Sequence, residues 1–297
     1  MPDFLTEMAS KSRARALSAR SGMPERELRA RILDLPDPLP LRTGPEGFDL
    51  ITEVKRRSPS IGPLDGAGVV ERARAYTEAG AAAISVLTEP DAFGGSLEDL
   101  QAISRAASEL PDAIPAMRKD FLTDPYQLLE ARAAGAGGAL LILRILSDEE
   151  LEQMLAVAGE TGLFLLLEAF DADDIERAGV AAARATSEGT DALVGVNCRN
   201  LETLQVEFDR LEQLSGHLPA GSRRVAESGL ETAEDAARVA AGGYDLALVG
   251  TALMRLEDPR PAISRMLAAG RAARQLAGVG RYDRTAGGDL SPTAGAR

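Results

Sequence analysis

The stretch Thr161-Gly-Leu-Phe-Leu-Leu-Leu-Glu-Ala-Phe170 decides how this chain is built. Before it, residues 148–160 carry helical periodicity, and Gly162 suits the left-handed cap at a helix C-terminus. The apolar run 164–167 then reads as a strand ended by the acid Glu168, and helical periodicity returns over 173–183. The local unit is therefore a strand set between two helices.

Working outward, strand-like apolar runs recur at 49–54, 82–88, 114–117, 139–143, 164–167, 192–196, 224–226 and 246–249. Seven are followed by helical patterns, at 69–79, 97–110, 126–134, 148–160, 173–183, 207–214 and 233–241, and several of these stop at glycine, at Gly80, Gly135, Gly162 and Gly242. Strict alternation of strand and helix implies a parallel sheet. Eight units at irregular spacing exclude a solenoid and predict an α/β chain folded as a single (β/α)8 TIM barrel. The 297 residues accommodate such a barrel, typically about 250 residues, with an extension. Ahead of the first strand, 6–35 is rich in Arg, Ala and Leu and predicts one or two amphipathic helices broken near Gly22-Met-Pro24. The expected division is an N-terminal helical extension at 1–45, a barrel at 46–275 and a disordered tail at 276–297, where periodicity is lost. The segment 4–42 is expected to serve substrate binding more than folding.

Composition narrows the function. Hydrophobic residues make up 45% of the chain, enough for a sizeable core, yet no run approaches the roughly 18 apolar residues of a membrane span. The acidic N-terminus shows no secretory signal, so a cytoplasmic protein away from membranes is expected. One cysteine and one histidine leave no internal disulfide, no cysteine-rich metal site and no histidine cluster. Acid–base chemistry must fall to Lys, Glu or Asp. A net charge of -13 argues against a nucleic-acid partner, whose phosphates dominate affinity. An anionic small molecule would need a local basic pocket.

In barrels of this kind chemistry gathers where strands end. In Ile51-Thr-Glu-Val-Lys-Arg-Arg-Ser-Pro-Ser60, alternation sends Glu53 and Lys55 to one face, with Ser58 just beyond. Alone, that pair would be a solvated ion pair. Later strand ends add Lys119-Asp-Phe121, Glu168, Asn197-Cys-Arg199-Asn200, Glu227-Ser-Gly229 and Gly250-Thr251. An acid ending a buried strand, as Glu168 does, needs a partner or a raised pKa. Lysines and glutamates converging in a dry pocket can be moved toward neutrality, which makes acids and bases without histidine. Gly229 and Gly250 let backbone amides approach a ligand, and Ala252-Leu-Met254 could begin a short helix that attracts phosphate. Either glycine alone would mark a tight turn. Both, opposite Lys55 and Ser58, point to a phosphate-bearing substrate.

The set E-V-K-R-R-S-P-S, Pro115-Ala-Met-Arg-Lys-Asp-Phe121 with Asp124-Pro-Tyr-Gln127, G-V-N-C-R-N-L from Gly195, A-E-S-G-L and V-G-T-A-L-M-R resembles the indole-3-glycerol-phosphate synthase family, in order and at family spacing, from Phe4 to Leu267. The resemblance implies a barrel with helices over its mouth. It also implies ring closure of 1-(2-carboxyphenylamino)-1-deoxyribulose 5-phosphate to indole-3-glycerol phosphate, with loss of carbon dioxide and water and no cofactor or metal. It makes Lys119 the general acid of ring closure, Glu168 and Lys55 the pair serving dehydration in roles left open, Glu53 the residue orienting the lysines, and Asn197 the holder of a substrate hydroxyl. Glu227 and Ser228 would complete the rim, Phe121 and Leu140 would wall the aromatic ring, and Arg199 and Ser58 would meet anionic groups. Gly229, Gly250 and Thr251 would hold the phosphate. The expected state is a monomer or weak homo-oligomer. The chain departs from the family pattern at Ile61, commonly lysine, at Ala169-Phe170, commonly valine-histidine or isoleucine-asparagine, and at Cys198, commonly a small polar residue; none of these removes a catalytic group. Phosphoribosylanthranilate isomerase shares the fold, but its cysteine on the first strand is here Glu53. A silent metabolite-binding barrel is the other alternative, and the presence of Lys119 and Glu168 weighs against it.

Overall fold

In the computed structural model, which describes residues 4–58, 62–63, 68–200, 203 and 205–278, eight parallel strands close into a barrel. They are β1 (Asp49–Val54), β2 (Ala83–Leu87), β3 (Ala116–Lys119), β4 (Gly138–Ile142), β5 (Phe164–Ala169), β6 (Ala192–Asn197), β7 (Arg223–Glu227) and β8 (Leu246–Val249). Closure is made by β1 pairing with both β8 and β2, Asp49 beside Leu246 and Ile51 beside Ala83. The helices are α1 (Phe4–Gly22), α2 (Glu25–Leu33), α3 (Val69–Glu78), α4 (Pro90–Phe93), α5 (Leu97–Ser108), α6 (Pro125–Ala133), α7 (Asp148–Thr161), α8 (Ala172–Ser187), α9 (Asp209–Gln213), α10 (Ala233–Ala241), α11 (Thr251–Met254) and α12 (Arg260–Leu276). None of them is long and apolar enough to cross a membrane. All eight expected strands are present, and the break between α1 and α2 falls at Met23–Pro24.

Local chemistry sets the boundaries. Ser147 and Glu150 form a reciprocal capping box at the start of α7, and Asp124 with Gln127 does the same for α6. Gly162 ends α7 at φ 71°, in the left-handed region that glycine enters without penalty. At Gly242 the expectation fails: its φ is -71°, and the following Gly243, at 100°, takes the left-handed conformation.

Two apolar clusters result. Outward side chains such as Leu50, Leu141, Leu167 and Val194 pack beneath the helices, while inward ones such as Ile51, Met117, Leu140, Leu166 and Val225 fill the barrel. The interior cluster is finished at both ends by the segment preceding the barrel. Leu5 and Met8 of α1 enter it from the site end. Leu41 enters from the opposite end, where Arg42 N donates to Ala82 O at 3.4 Å. The segment 4–42, expected to serve substrate binding, thus also contributes apolar side chains to the core. Of the expected tail, residues 279–297 lie outside the described residues.

Candidate active site

Alternation along each strand stacks a polar side chain one step above an apolar one on the inward face: Ile51 and Glu53, Met117 and Lys119, Leu166 and Glu168, Val225 and Glu227. The apolar members form the barrel interior, and the polar members floor a cavity of about 520 Å³ at the strands' C-terminal ends. Lys119 Nζ donates to Glu168 Oε2 at 3.1 Å and lies 3.8 Å from Glu227 Oε2. Glu168 Oε1 accepts from Asn197 Nδ2 at 2.9 Å, and Asn197 Oδ1 accepts the Arg199 backbone N–H at 3.0 Å, which fixes the end of β6. Across the floor Lys55 Nζ donates to Glu53 Oε1 at 2.6 Å.

Two glycines make room for the acids. A Cβ on Gly195 would lie 2.0 Å from Glu227 Oε1, and one on Gly250 would lie 2.2 Å from Glu53 Oε1. Gly195 was not singled out in the sequence, although an isolated glycine inside a strand signals close approach.

The electrostatics follow from this crowding. Burial pushes Lys119 down, but Glu168, Glu227 and Glu53 together outweigh it and hold its pKa above the usual lysine value. The expectation that the lysines drift toward neutrality is thereby corrected for Lys119: the surrounding acids, Glu168 first, keep it an ammonium. Burial likewise pushes Glu53 up, and the charges of Lys55, Lys119 and Arg199 reverse that, leaving it lowered. Glu227 goes the other way. Burial, then the neighbouring Glu168 charge, raise it well above the carboxylate range despite Lys119, and a hydrogen bond shared with Glu168 adds to the rise. Cys198 is fully buried, its thiol is pushed up to about 11 by burial against the opposing charge of Arg199, and its Sγ lies 3.4 Å from Ser228 O. A thiol so placed is a poor nucleophile.

The cavity wall carries Ser228, Gly229, Gly250, Thr251 and Ala252 on the β7–β8 side. Ser228, at φ 72°, is the one non-glycine in the left-handed region among the described residues, and Gly229 follows at 78°. Successive residues of this kind turn backbone amides toward a common concavity. Arg199 also lines the cavity. The β2–β5 side is apolar, where Phe121 meets Phe4 edge-on at 5.8 Å between centroids and Phe93 at 6.4 Å. Leu140 does not reach this wall. Fully buried, it sits a layer below in the barrel interior, and Ile142, two residues on, takes the wall position by alternation. Phe4, Leu5, Phe93 and Phe170 also line the cavity and were not assigned to a wall from sequence. Ser58 falls in a short strand at 57–58, but its side chain and the whole of Ile61 lie outside the described residues.

Comparison with known proteins matches residues 8–266 to the family described as indole-3-glycerol phosphate synthase. An indole-3-glycerol phosphate synthase of Paenarthrobacter aurescens is 45% identical over 225 residues, 75% of this chain and 78% of the relative. One from a Nocardioides species is 44% identical over 244 residues, 81% and 88% of the two chains. Among solved structures, a thiamine phosphate pyrophosphorylase from Pyrococcus furiosus superposes with a TM-score of 0.54 at 19% identity, covering 77% of this chain and 98% of that one. The phosphoribosyl anthranilate isomerase of Thermotoga maritima gives 0.52 at 14% identity, covering 75% and 99%. At such identities the structures speak to the fold alone.

Proposed function

The chain belongs to the indole-3-glycerol phosphate synthase family, and from that premise we propose that Lys119 is the general acid of its reaction. The reaction it carries out is the decarboxylating, dehydrating ring closure of 1-(2-carboxyphenylamino)-1-deoxyribulose 5-phosphate to indole-3-glycerol phosphate, carbon dioxide and water, a step of tryptophan biosynthesis. The observation that carries the assignment is the Lys119 ammonium held 3.1 Å from Glu168 at the centre of the cavity floor, with an apolar wall on one side and glycine turns on the other.

As the carboxyl-bearing ring carbon attacks the ketone carbon, Lys119 delivers a proton to the ketone oxygen. Carbon dioxide then leaves and the ring regains aromaticity. In the dehydration, Lys55 protonates the departing hydroxyl, and Glu168, oriented by Lys119 and Asn197, takes the proton lost from the neighbouring methylene carbon. Glu53 holds Lys55 in place. Glu227, whose carboxyl is held well above the usual range by burial and the Glu168 charge, favours its neutral form and so can donate to a substrate oxygen where a carboxylate would repel it. Phe121 and Ile142 wall the aromatic ring, with Leu140 supporting them from below. The phosphate lies at Ser228, Gly229, Gly250 and Thr251, and Arg199 and Ser58 meet the substrate's anionic groups. No cofactor or metal enters this scheme. The enzyme works in the cytoplasm as a monomer or weak homo-oligomer, beneath the cover of its N-terminal helices.

Lys119→Met keeps the volume and removes the proton. A positioned general acid contributes about 10² to 10⁴-fold, so kcat should fall by that factor while product binding changes little. Near-parental turnover in a folded variant would remove Lys119 from the role.

A further inference from the structure

Beyond Glu168, alternation brings one more side chain of the β5 end inward: Phe170, 2% exposed and lining the cavity. It sits with Leu5, Phe93, Phe121 and Ile142 on the apolar side, across from the glycine turns. A substrate with an aromatic acid at one end and a phosphate at the other must direct its ring toward that side.

Phe170 differs from its neighbours in how it is held. Its backbone N–H donates to Asp174 Oδ2 at 3.0 Å, and its carbonyl accepts from Arg210 Nη2 at 2.6 Å. Arg144 lies with Cζ 5.3 Å from the ring centroid, and is itself fixed by Asp174, at 2.8 Å, and by Asp171. Phe121 also has its backbone N–H on a carboxylate, Asp120 Oδ1 at 2.8 Å, but its ring rests on the rings of Phe4 and Phe93 and not under a guanidinium. A ring tied on both flanks and stacked under a guanidinium resists displacement, and a close-packed wall that cannot move converts added volume on a ligand into overpacking.

We propose that Phe170, clamped by Arg144, is a specificity-determining residue: a fixed aromatic stop that excludes substrates carrying an added substituent on the carboxyphenyl ring. The proposal rests on the ring-closing activity assigned above. Each methyl-sized group that a rigid pocket rejects is worth about 10 to 200-fold in kcat/KM. The parent enzyme should therefore prefer the unsubstituted substrate over its ring-methyl analogues by such a factor for at least one ring position. Phe170→Ala leaves an apolar void and should raise the ratio of substituted to unsubstituted kcat/KM about tenfold or more at that position.

The test measures kcat/KM for the unsubstituted substrate and its singly methylated ring analogues with the parent, Phe170→Ala, Phe170→Leu and Arg144→Gln. Phe170→Leu covers the case in which alanine fails to fold. Arg144→Gln keeps the ring and releases the clamp, and should relax the ratio by an intermediate amount. Parent turnover with unchanged ratios in Phe170→Leu and Arg144→Gln overturns the stop while leaving the activity standing. Equal use of all analogues by the parent overturns it too. No turnover of the unsubstituted substrate by the parent overturns the activity, and the stop with it.

Discussion

Glu227 shows how far a residue's chemistry is set by what surrounds it. Its carboxyl is raised well above the usual range, first by burial and then by the Glu168 charge, and Lys119 at 3.8 Å is too weak a counterweight. A carboxyl whose folded pKa lies above its unfolded value of about 4.3 binds protons more tightly in the folded state. The stability it contributes is complete below that unfolded value and is lost as pH rises toward the folded one. Glutamine cannot ionise and escapes the loss. Glu227→Gln should therefore gain on the parent steadily from about pH 4.3 upward until the folded pKa is passed, as read from urea midpoints across pH 4 to 8. A difference flat with pH would show that Glu227 is not held neutral. The acid at the end of the seventh strand was legible in the chain; that its pKa in particular is raised was not, because that depends on Glu168 two strands away and on the space that Gly195 leaves for it.

Helix α1 is the element that ties the extension to the site. Arg15 Nη2 meets Asp120 Oδ1 at 2.8 Å, Ser12 accepts from Gln127 Nε2 at 2.8 Å, and Arg20 reaches Asp124 at 2.6 Å, so both ends of the β3–α6 loop hang on one helix. Asp120 is buried and also receives Thr88 Oγ1 at 3.0 Å. Removing Arg15 would take one of two cations from a buried carboxylate one residue from Lys119, leaving it Arg118 at 3.4 Å and the Phe121 N–H at 2.8 Å. Arg15 is itself 28% exposed, which moderates the cost to about 1–2 kcal/mol. Arg15→Ala should lower the denaturant midpoint by that amount and raise KM more than it lowers kcat, since Phe4 and Leu5 on the same helix wall the cavity. A stability loss with unchanged KM would reduce α1 to a structural cover. At this scale the chain was read well where helices begin and end in caps. Strand ends were read short, because a polar residue looks like a boundary in sequence: β3 runs on to Lys119, β6 to Asn197 and β7 to Glu227. The same step explains Leu140, since the expected wall stood one inward position too deep on β4.

For the molecule as a whole, the repeat of strand and helix was enough to specify the barrel, whereas the plugging of both its ends by 4–42 was not, because Leu5, Met8 and Leu41 carry no periodic signal of the barrel they fill. The whole-molecule charge poses a separate problem. At -13 the chain repels a phosphorylated substrate at long range, so the proposed site must bind through short-range groups, assigned above to Ser228, Gly229, Gly250 and Thr251 with Lys55, Lys119 and Arg199 around the same cavity. Any salt screens the self-repulsion of an acidic protein, and phosphate is also excluded from protein surfaces, so stabilisation by phosphate has a general part as well as a specific one. The shape of the concentration dependence separates them, logarithmic for a site and close to linear for a general salt effect. A single site with phosphate at tenfold its Kd adds about 1.4 kcal/mol and raises Tm by roughly 2–3 °C for a chain of this size. Inorganic phosphate should give that rise along a logarithmic curve, steepest in added phosphate up to Kd and then gaining a near-constant increment per tenfold, over and above potassium chloride of equal ionic strength. Thr251→Val, which removes a hydroxyl from the wall, should shift the curve to higher phosphate while leaving the chloride response unchanged. A rise that stays linear in phosphate, or that Thr251→Val does not move, would place the anion elsewhere and unseat the phosphate end of the substrate from the β7–β8 turns.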